Sequence, residues 1–171
     1  TRLISSAASD VYKRQVYTPA IPDDNIFLKY FRKNGNNQIY KRSEMLGEIS
    51  RQSKCIAVAG THGKTTTSAI ISHLFYSSGI HFKAFIGGIM KCFDSNFINT
   101  GNDYIIVEAD EYDRSFLNLN PNYAVITSIE SDHLDIYGDL KSLVESFQSF
   151  TNNVKDVLIT DAEIDIDKAV S

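Results

Sequence analysis

The segment Gly60-Thr-His-Gly-Lys-Thr-Thr-Thr67 combines residue types that bind phosphate groups. It follows the apolar run 54–59 and precedes a stretch with helical periodicity, so a strand is expected to lead through a glycine-rich turn into a helix. Such a turn gathers unpaired backbone N–H groups at the positive end of the helix dipole, which favours an anion. Lys64 can reach the β- and γ-phosphates of a nucleotide, and the Thr65 hydroxyl can ligate Mg²⁺.

The whole turn is therefore a candidate nucleotide-binding loop, made of residues Gly60, Thr61, His62, Gly63, Lys64, Thr65 and Thr66. Its two glycines are expected to admit phosphate oxygens where a Cβ atom would collide. A strict Walker A motif would need glycine at position 58, which is valine, so the loop is a shorter variant. The alternative is a tight turn that carries a surface lysine.

Four carboxylates follow a second apolar run, 104–107, at Glu108, Asp110, Glu111 and Asp113. Ligands of open α/β sheets collect beyond the carboxyl ends of the strands, which places these acids opposite the phosphate loop. Glu108 is nearest to the strand end and is the predicted Mg²⁺ ligand. A charged surface loop would explain the four acids equally well in isolation.

His133 follows a third apolar run, 124–129, and is expected at the same edge of the sheet. A neutral imidazole can ligate a divalent ion or contact a phosphate oxygen, although a single loop histidine is more often solvated. His73 and His81 are expected to be structural or exposed.

The composition is that of an ordinary globular protein, since 43% of the 171 residues are hydrophobic, 22% are charged and the net charge is -4. This charge offers no basic field to a nucleic-acid backbone, so no nucleic-acid partner is expected. No apolar run approaches the roughly 20 residues that span a bilayer, so membrane insertion is not expected. Cys55 and Cys92 are interpreted as small buried hydrophobic residues in a reducing cytoplasm.

The elements that would position these residues form two α/β runs. Residues 1–15 lack a helix or strand period and resemble a translated adapter sequence, so they are interpreted as a non-native tail, with a native disordered tail as the alternative. Residues 16–51 are expected to hold a strand near 16–21, a helix that Asp24 caps, that runs to about Lys33 and that Gly35 stops, a strand at 38–40 and a helix over 43–50 with Ser43 as N-cap.

Residues 52–171 are expected to form the second run, with strands at 54–59, 82–86, 104–107, 123–128 and 157–160. Helices are expected from the phosphate loop to about Ser78 and over 140–150. The first of them should carry Ile70, Ile71, Leu74 and Phe75 on one face. Strands that alternate with helices predict an α/β fold with a mostly parallel sheet.

Three segments together closely resemble the Mur ligases: 60–67, Glu108-Ala-Asp-Glu-Tyr-Asp-Arg-Ser-Phe-Leu117 and Thr127-Ser-Ile-Glu-Ser-Asp-His-Leu-Asp-Ile-Tyr-Gly138. The resemblance extends to Tyr17-Thr-Pro-Ala-Ile21 and Arg42-Ser-Glu-Met-Leu46. Ser128 is a departure, because relatives often carry asparagine there. The resemblance implies that residues 16–51 end a Rossmann-like, UDP-binding N-terminal domain and that residues 52–171 are an incomplete central ATP-binding domain.

The resemblance also implies an activity: an ATP-dependent amide ligase of peptidoglycan synthesis, closest to the branch that joins L-alanine to UDP-N-acetylmuramate through an acyl phosphate. In that family Lys64 would hold the β- and γ-phosphates, Thr65 and Glu108 one Mg²⁺, and His133 a second; Lys64, Glu108 and His133 are the expected catalytic residues. The 171-residue chain alone is expected to be inactive and to fold poorly. The alternatives are a ligase that recycles a murein tripeptide and a stand-alone nucleotide-binding module.

Overall fold

The computed structural model describes residues 14–33, 39–130, 139–161 and 164. The chain divides into two compact units between Leu46 and Gly47. The first unit contains strand β1 (Gln15–Tyr17), helix α1 (Ile26–Lys33), strand β2 (Ile39–Lys41) and the start of helix α2 (Arg42–Ser50). Strands β1 and β2 pair in parallel.

The start of α1 differs from the prediction. Asn25, not Asp24, is its cap, because the Asn25 side-chain oxygen accepts hydrogen bonds from the N–H groups of Phe27 and Leu28 at 3.0 and 3.2 Å. Gly35, the predicted stop of this helix, lies outside the described residues.

The start of α2 also differs, since Ser43 lies inside the helix and is not its N-cap. The Glu44 carboxylate instead accepts a hydrogen bond from the N–H group of Lys41 at 2.7 Å. This is the reach-back half of a capping box, in which a glutamate of the first turn satisfies a free backbone donor.

The second unit is built on a sheet of six described strands: β3 (Lys54–Ala59), β4 (Phe82–Met90), β5 (Ser95–Asn99), β6 (Tyr104–Glu108), β7 (Tyr123–Ile126) and β8 (Val157–Thr160). Their order in the sheet is β5-β4-β6-β3-β7-β8. All the recorded pairings are parallel except that of β4 with β5. The predicted α/β class with a mostly parallel sheet is confirmed.

The helical segments of this unit are α3 (Lys64–Ser77), a 3₁₀ helix (Tyr112–Asn118) and α4 (Leu140–Thr151). Strand β3 lies between β6 and β7 and is parallel to both. The chain segments that follow these three strands therefore emerge side by side at one edge of the sheet.

Strand β5 and the 3₁₀ helix were not predicted. Strand β5 reads Ser-Asn-Phe-Ile-Asn and lies at the edge of the sheet, so it lacks the continuous apolar run of a strand buried on both faces. Strand β4 extends past the predicted residue 86 to Met90, and β7 ends at Ile126, before the predicted residue 128.

Helix α3 packs on the sheet through Ile71 and Phe75. Ser68 and Ser72 are fully buried on that face, whereas Ile70 and Leu74 are 54% and 57% exposed. The four apolar residues predicted to share one face are therefore only partly buried, because the face packed on the sheet is rotated towards Ser68 and Ser72. Positions 68, 71, 72 and 75 have the spacing of one helical face, and small serines let the helix lie close to the sheet.

The two cysteines differ in environment. Cys55 is buried, as predicted, and burial raises the pKa of its thiol to about 12. Cys92 is exposed, which corrects the prediction that both are buried. Among the helices that the structure describes, none is both long and apolar enough to cross a bilayer.

Candidate functional site

The glycine-rich loop joins β3 to α3, as predicted, and its backbone conformation depends on glycine at two positions. Gly63 is the N-cap of α3 with φ of 82°, and Gly60 has φ of 128°. Both values lie where side chains with a Cβ are strained. The N–H groups in the first turn of a helix have no partner within the helix, and no described side chain caps those of α3. They are therefore available to bind an anion.

Gly60 is needed for a reason that the sequence analysis did not identify. A Cβ atom there would lie 2.8 Å and 2.9 Å from the backbone nitrogen and oxygen of Ser128, and closer still to the Thr127 hydroxyl. The absent side chain thus makes room for the segment after β7 as well as for any ligand. The expected collision with phosphate oxygens is not the sole reason for this glycine.

Residues 127–130, which we call the brace, hold the loop from the β7 side. Thr61 donates its N–H to the Ser128 carbonyl and His62 donates its N–H to the Ser128 hydroxyl, both at 3.0 Å. The buried Thr61 hydroxyl accepts from the N–H of Glu130 at 2.9 Å. The Thr127 hydroxyl lies within hydrogen-bond distance of the carbonyl groups of Ala59 and His62 and can donate its one hydrogen to either.

The brace changes the expected role of two loop residues. The N–H groups of Thr61 and His62 are already engaged, so the backbone donors offered to an anion are those at the start of α3. Sequence reasoning missed the brace because it extended β7 through residue 128. Two polar residues directly after an apolar run were the available signal.

Lys64 turns back towards its own loop. Its ammonium group donates to the Gly60 carbonyl at 2.6 Å and to the Thr61 carbonyl at 3.3 Å. It also lies 2.9 Å from both carboxylate oxygens of Glu111, which is 1% exposed. The structure thus places the lysine between the loop and the segment that follows β6.

Thr65 and Glu108 are brought together, as the sequence analysis expected. The Thr65 hydroxyl donates to one Glu108 oxygen at 2.9 Å, and the N–H of Gly87 donates to the other at 2.7 Å. Glu108 is half-buried at the end of β6. These bonds fix its carboxylate at the edge where the loop begins.

A pair of glycines in β4 provides the space for this contact. A Cβ on Gly87 would lie 3.0 to 3.2 Å from the Glu108 carboxyl group, and one on Gly88 would lie 3.0 Å from the Thr65 methyl carbon. The distances for both glycines are shorter than ordinary van der Waals contacts between side chains. Sequence reasoning missed these residues, although two adjacent glycines inside an apolar strand indicate a close approach.

The pair of Thr65 and Glu108 suits Mg²⁺, because hydroxyl and carboxylate oxygens are the donors that this hard cation prefers. Within the described residues, no three His, Cys, Asp or Glu side chains form a metal-binding group. His133, the third predicted ligand, lies outside the described residues. The hydroxyl of Thr65 and the carboxylate of Glu108 fit a site in which Mg²⁺ would also bind a phosphate ligand and water.

The other acids after β6 have different environments. Asp110 is exposed and accepts a hydrogen bond from the N–H of Tyr112 at 3.1 Å. Asp113 is exposed and has φ of 52°, so it takes part in a sharp reversal of the chain. His73 and His81 are exposed, within the range that was expected.

Comparison with known families and proteins gives a consistent result. The Mur ligase middle domain matches residues 58–170. UDP-N-acetylmuramate--L-alanine ligase of Christiangramia forsetii is 51% identical over 139 residues, and that of Cytophaga hutchinsonii is 44% identical over 156 residues. The matches cover 81% and 89% of this chain but 30% and 33% of the two relatives.

Solved structures show the same fold. UDP-N-acetylmuramate-alanine ligase MurC from Thermotoga maritima superimposes with a TM-score of 0.77 at 28% identity, over 91% of this chain and 36% of that one. UDP-N-acetylmuramate:L-alanyl-gamma-D-glutamyl-meso-diaminopimelate ligase from Neisseria meningitides, at 23% identity, superimposes with a TM-score of 0.72 over 89% of this chain and 53% of that one. The chain therefore spans about a third of the length of the alanine ligases that it matches.

Proposed function

Because the chain belongs to the Mur ligase family, we propose that it is the nucleotide-binding part of a longer ATP-dependent amide ligase. The proposed enzyme joins L-alanine to UDP-N-acetylmuramate in peptidoglycan synthesis. The curated relatives at 44% and 51% identity carry that activity in their names. The observation that carries the proposal is the convergence of Lys64, Thr65 and Glu108 at the carboxyl edge of the sheet.

The proposed reaction has two steps. The substrate carboxylate attacks the γ-phosphorus of ATP, the bond to the bridging oxygen breaks, and ADP leaves an acyl phosphate behind. The amine of L-alanine then attacks the acyl carbon, the amide forms, and inorganic phosphate and a proton are released. Positioning and charge stabilisation supply most of the catalysis in such transfers.

The residues of this chain would perform the binding work. The N–H groups at the start of α3 and the Lys64 ammonium would hold the β- and γ-phosphates, while the brace keeps the loop in shape. The half-buried Glu108 carboxylate and the Thr65 hydroxyl would hold Mg²⁺. When bound, Mg²⁺ would neutralise phosphate charge. We further propose His133 as a ligand of a second Mg²⁺.

The experiment is a phosphate-release assay on the full-length enzyme that contains this segment. With ATP, Mg²⁺ and UDP-N-acetylmuramate, we expect release to depend on L-alanine. A murein tripeptide in place of L-alanine is the matched control. Release with tripeptide and none with alanine would favour the tripeptide-recycling alternative over the alanine ligase.

A stand-alone nucleotide-binding module is the second candidate and would hydrolyse ATP without either substrate. Phosphate release that neither UDP-N-acetylmuramate nor an amino acid stimulates would favour it.

The remaining assignments are proposals of the same kind. We propose that residues 16–51 end a UDP-binding N-terminal domain, that residues 52–171 belong to the ATP-binding domain, and that residues 1–15 are not native. The 171-residue chain alone is proposed to be inactive. The enzyme is proposed to act in the cytoplasm, where both cysteines would remain free, as they are here.

A further inference from the structure

Glu111 is a buried carboxylate beside the proposed nucleotide site, and the proposed function assigns it no role. Its side chain is 1% exposed, and both of its oxygens lie 2.9 Å from the Lys64 nitrogen. Lys64 itself is only 14% exposed. Removing either partner would leave a buried charge uncompensated, which is strongly unfavourable.

The ammonium group of Lys64 has three N–H donors, and the protein uses them unequally. The Gly60 carbonyl accepts at 2.6 Å and the Glu111 carboxylate at 2.9 Å, whereas the Thr61 carbonyl lies at 3.3 Å. Three short contacts, one with Gly60 and two with Glu111, therefore fix the ammonium group. The long bond is the one that a phosphate oxygen can most easily replace.

Glu111 is itself held firmly. Its carbonyl accepts from the N–H of Arg114 at 2.9 Å, and the Asp110 carbonyl accepts from the N–H of Phe116 at 2.9 Å. Phe116 is 1% exposed and stacks on Phe150 of α4 with ring centroids 5.0 Å apart. The carboxylate is thus anchored to the hydrophobic core.

We propose that Glu111 is a positioning residue for phosphoryl transfer, which fixes the Lys64 ammonium beside the loop so that it can contact the transferred group. This inference rests on the proposed function of the loop. Glu111 would not contact the nucleotide itself and would act only through Lys64. If the Lys64–Glu111 salt bridge were only structural, it would hold the segment after β6 against the loop. Its loss would then lower stability without a specific effect on kcat.

The first test compares Glu111→Gln with Asp110→Asn in the full-length ligase. Both variants remove one negative charge and keep the side-chain shape, but the exposed Asp110 does not contact Lys64 in the described contacts. For Glu111→Gln we expect kcat to fall about 10- to 100-fold with KM for ATP changed less than about twofold. Asp110→Asn should keep both constants. An unchanged kcat, or a loss confined to KM, would overturn the inference.

Glu111→Asp keeps the test decisive if the glutamine variant unfolds, because the aspartate preserves the buried charge pair but is one methylene shorter. We expect its melting temperature to stay near that of the parent while kcat falls. A parental kcat in a folded Glu111→Asp variant would contradict a positioning role.

A double-mutant cycle with Lys64→Met separates this inference from the proposed function. If Glu111 acts through Lys64, adding Glu111→Gln to Lys64→Met should cause no further loss of turnover, or of Mg-ADP affinity where turnover is undetectable. Fully additive losses would overturn the inference. Parental turnover in Lys64→Met alone would overturn the proposed function, whereas a defective Lys64→Met with a normal Glu111→Gln would overturn only the role of Glu111.

Discussion

The Thr65 hydroxyl donates a hydrogen bond of 2.9 Å to the carboxylate of Glu108, although the two residues are 43 positions apart in the chain. The bond joins the first turn of α3 to the end of β6. It exists because β6 is the parallel neighbour of β3, whose loop leads into α3. Gly87 and Gly88 of β4 leave space for it. One hydroxyl and one carboxylate are thereby placed where a nucleotide-bound cation would need oxygen ligands.

Removing the Thr65 hydroxyl should weaken the response to Mg²⁺. In Thr65→Val the shape of the side chain is kept but its oxygen is lost, so we expect apparent Mg²⁺ affinity in the ligase assay to fall about tenfold or more. The measurement is the Mg²⁺ dependence of L-alanine-dependent phosphate release. Thr65→Ser keeps the oxygen and is the control, with affinity close to that of the parent. Equal Mg²⁺ dependence in the valine and serine variants would remove Thr65 from the metal site.

Removing the Lys64 ammonium should lower turnover, and it should also lower stability because the buried Glu111 carboxylate loses its charged partner. We expect Lys64→Ala to lower kcat about 100- to 1,000-fold, the usual cost of losing one charged stabiliser of a transferring group. Circular dichroism and gel filtration identify conditions in which the variant is folded, and turnover is compared there. Turnover close to the parental rate would take the loop lysine out of the mechanism.

Alanine at Gly60 should destabilise the protein more than alanine at Gly79. Both glycines have positive φ, 128° and 69°, but no atom lies within 4 Å of a Cβ on Gly79, whereas one on Gly60 would collide with the brace. Gly79→Ala should cost about 1 to 2 kcal/mol of unfolding free energy, and Gly60→Ala about 1 to 3 kcal/mol more. Denaturant unfolding provides the comparison. Equal losses of unfolding free energy in the two variants would show that the brace can move away from a Cβ at position 60 at no cost.

The two cysteines should differ in reactivity. In the native protein we expect one thiol, Cys92, to react quickly with a disulfide reagent, and two thiols to react in denaturant. Fast reaction of both native thiols would contradict the burial of Cys55.

The same burial makes stability depend on pH. Burial raises the pKa of Cys55 to about 12 in the folded chain, above the value of about 8.5 for an exposed thiol. The unfolded chain therefore loses this proton first. The contribution of Cys55 is complete below about pH 8.5 and is lost as pH rises towards 12. Replacing Cys55 with alanine should reduce the alkaline fall in unfolding free energy, measured by denaturant titration.

Much of the site could be predicted from the order of residue types along the chain. An apolar run followed by glycines, Lys64 and Thr65 predicts a strand, a turn and a helix with little ambiguity. The position of Glu108 beside them follows from the rule that parallel strands share a carboxyl edge. Both inferences use local pattern and one topological rule, and the structure confirms the resulting arrangement of Thr65 and Glu108.

The features that were missed depend on which strands are neighbours and on exact distances. The brace at 127–130 contacts the loop only because β7 lies next to β3. Glu111 differs from the exposed Asp110 by its burial, which no local pattern in an acidic run reveals. Ile70 has the same apolar character as Ile71, and only the packing of α3 on the sheet decides which of them is exposed.

The most direct test of the account is a calorimetric titration of the full-length enzyme with a non-hydrolysable ATP analogue, with and without Mg²⁺, in the parent and in Lys64→Ala and Glu108→Gln. We predict binding by the parent that Mg²⁺ strengthens, a large loss of affinity in Lys64→Ala, and loss of the Mg²⁺ effect in Glu108→Gln. Binding that is indifferent to Mg²⁺ and to both substitutions would contradict the claim that this loop and this carboxylate hold the nucleotide and its cation.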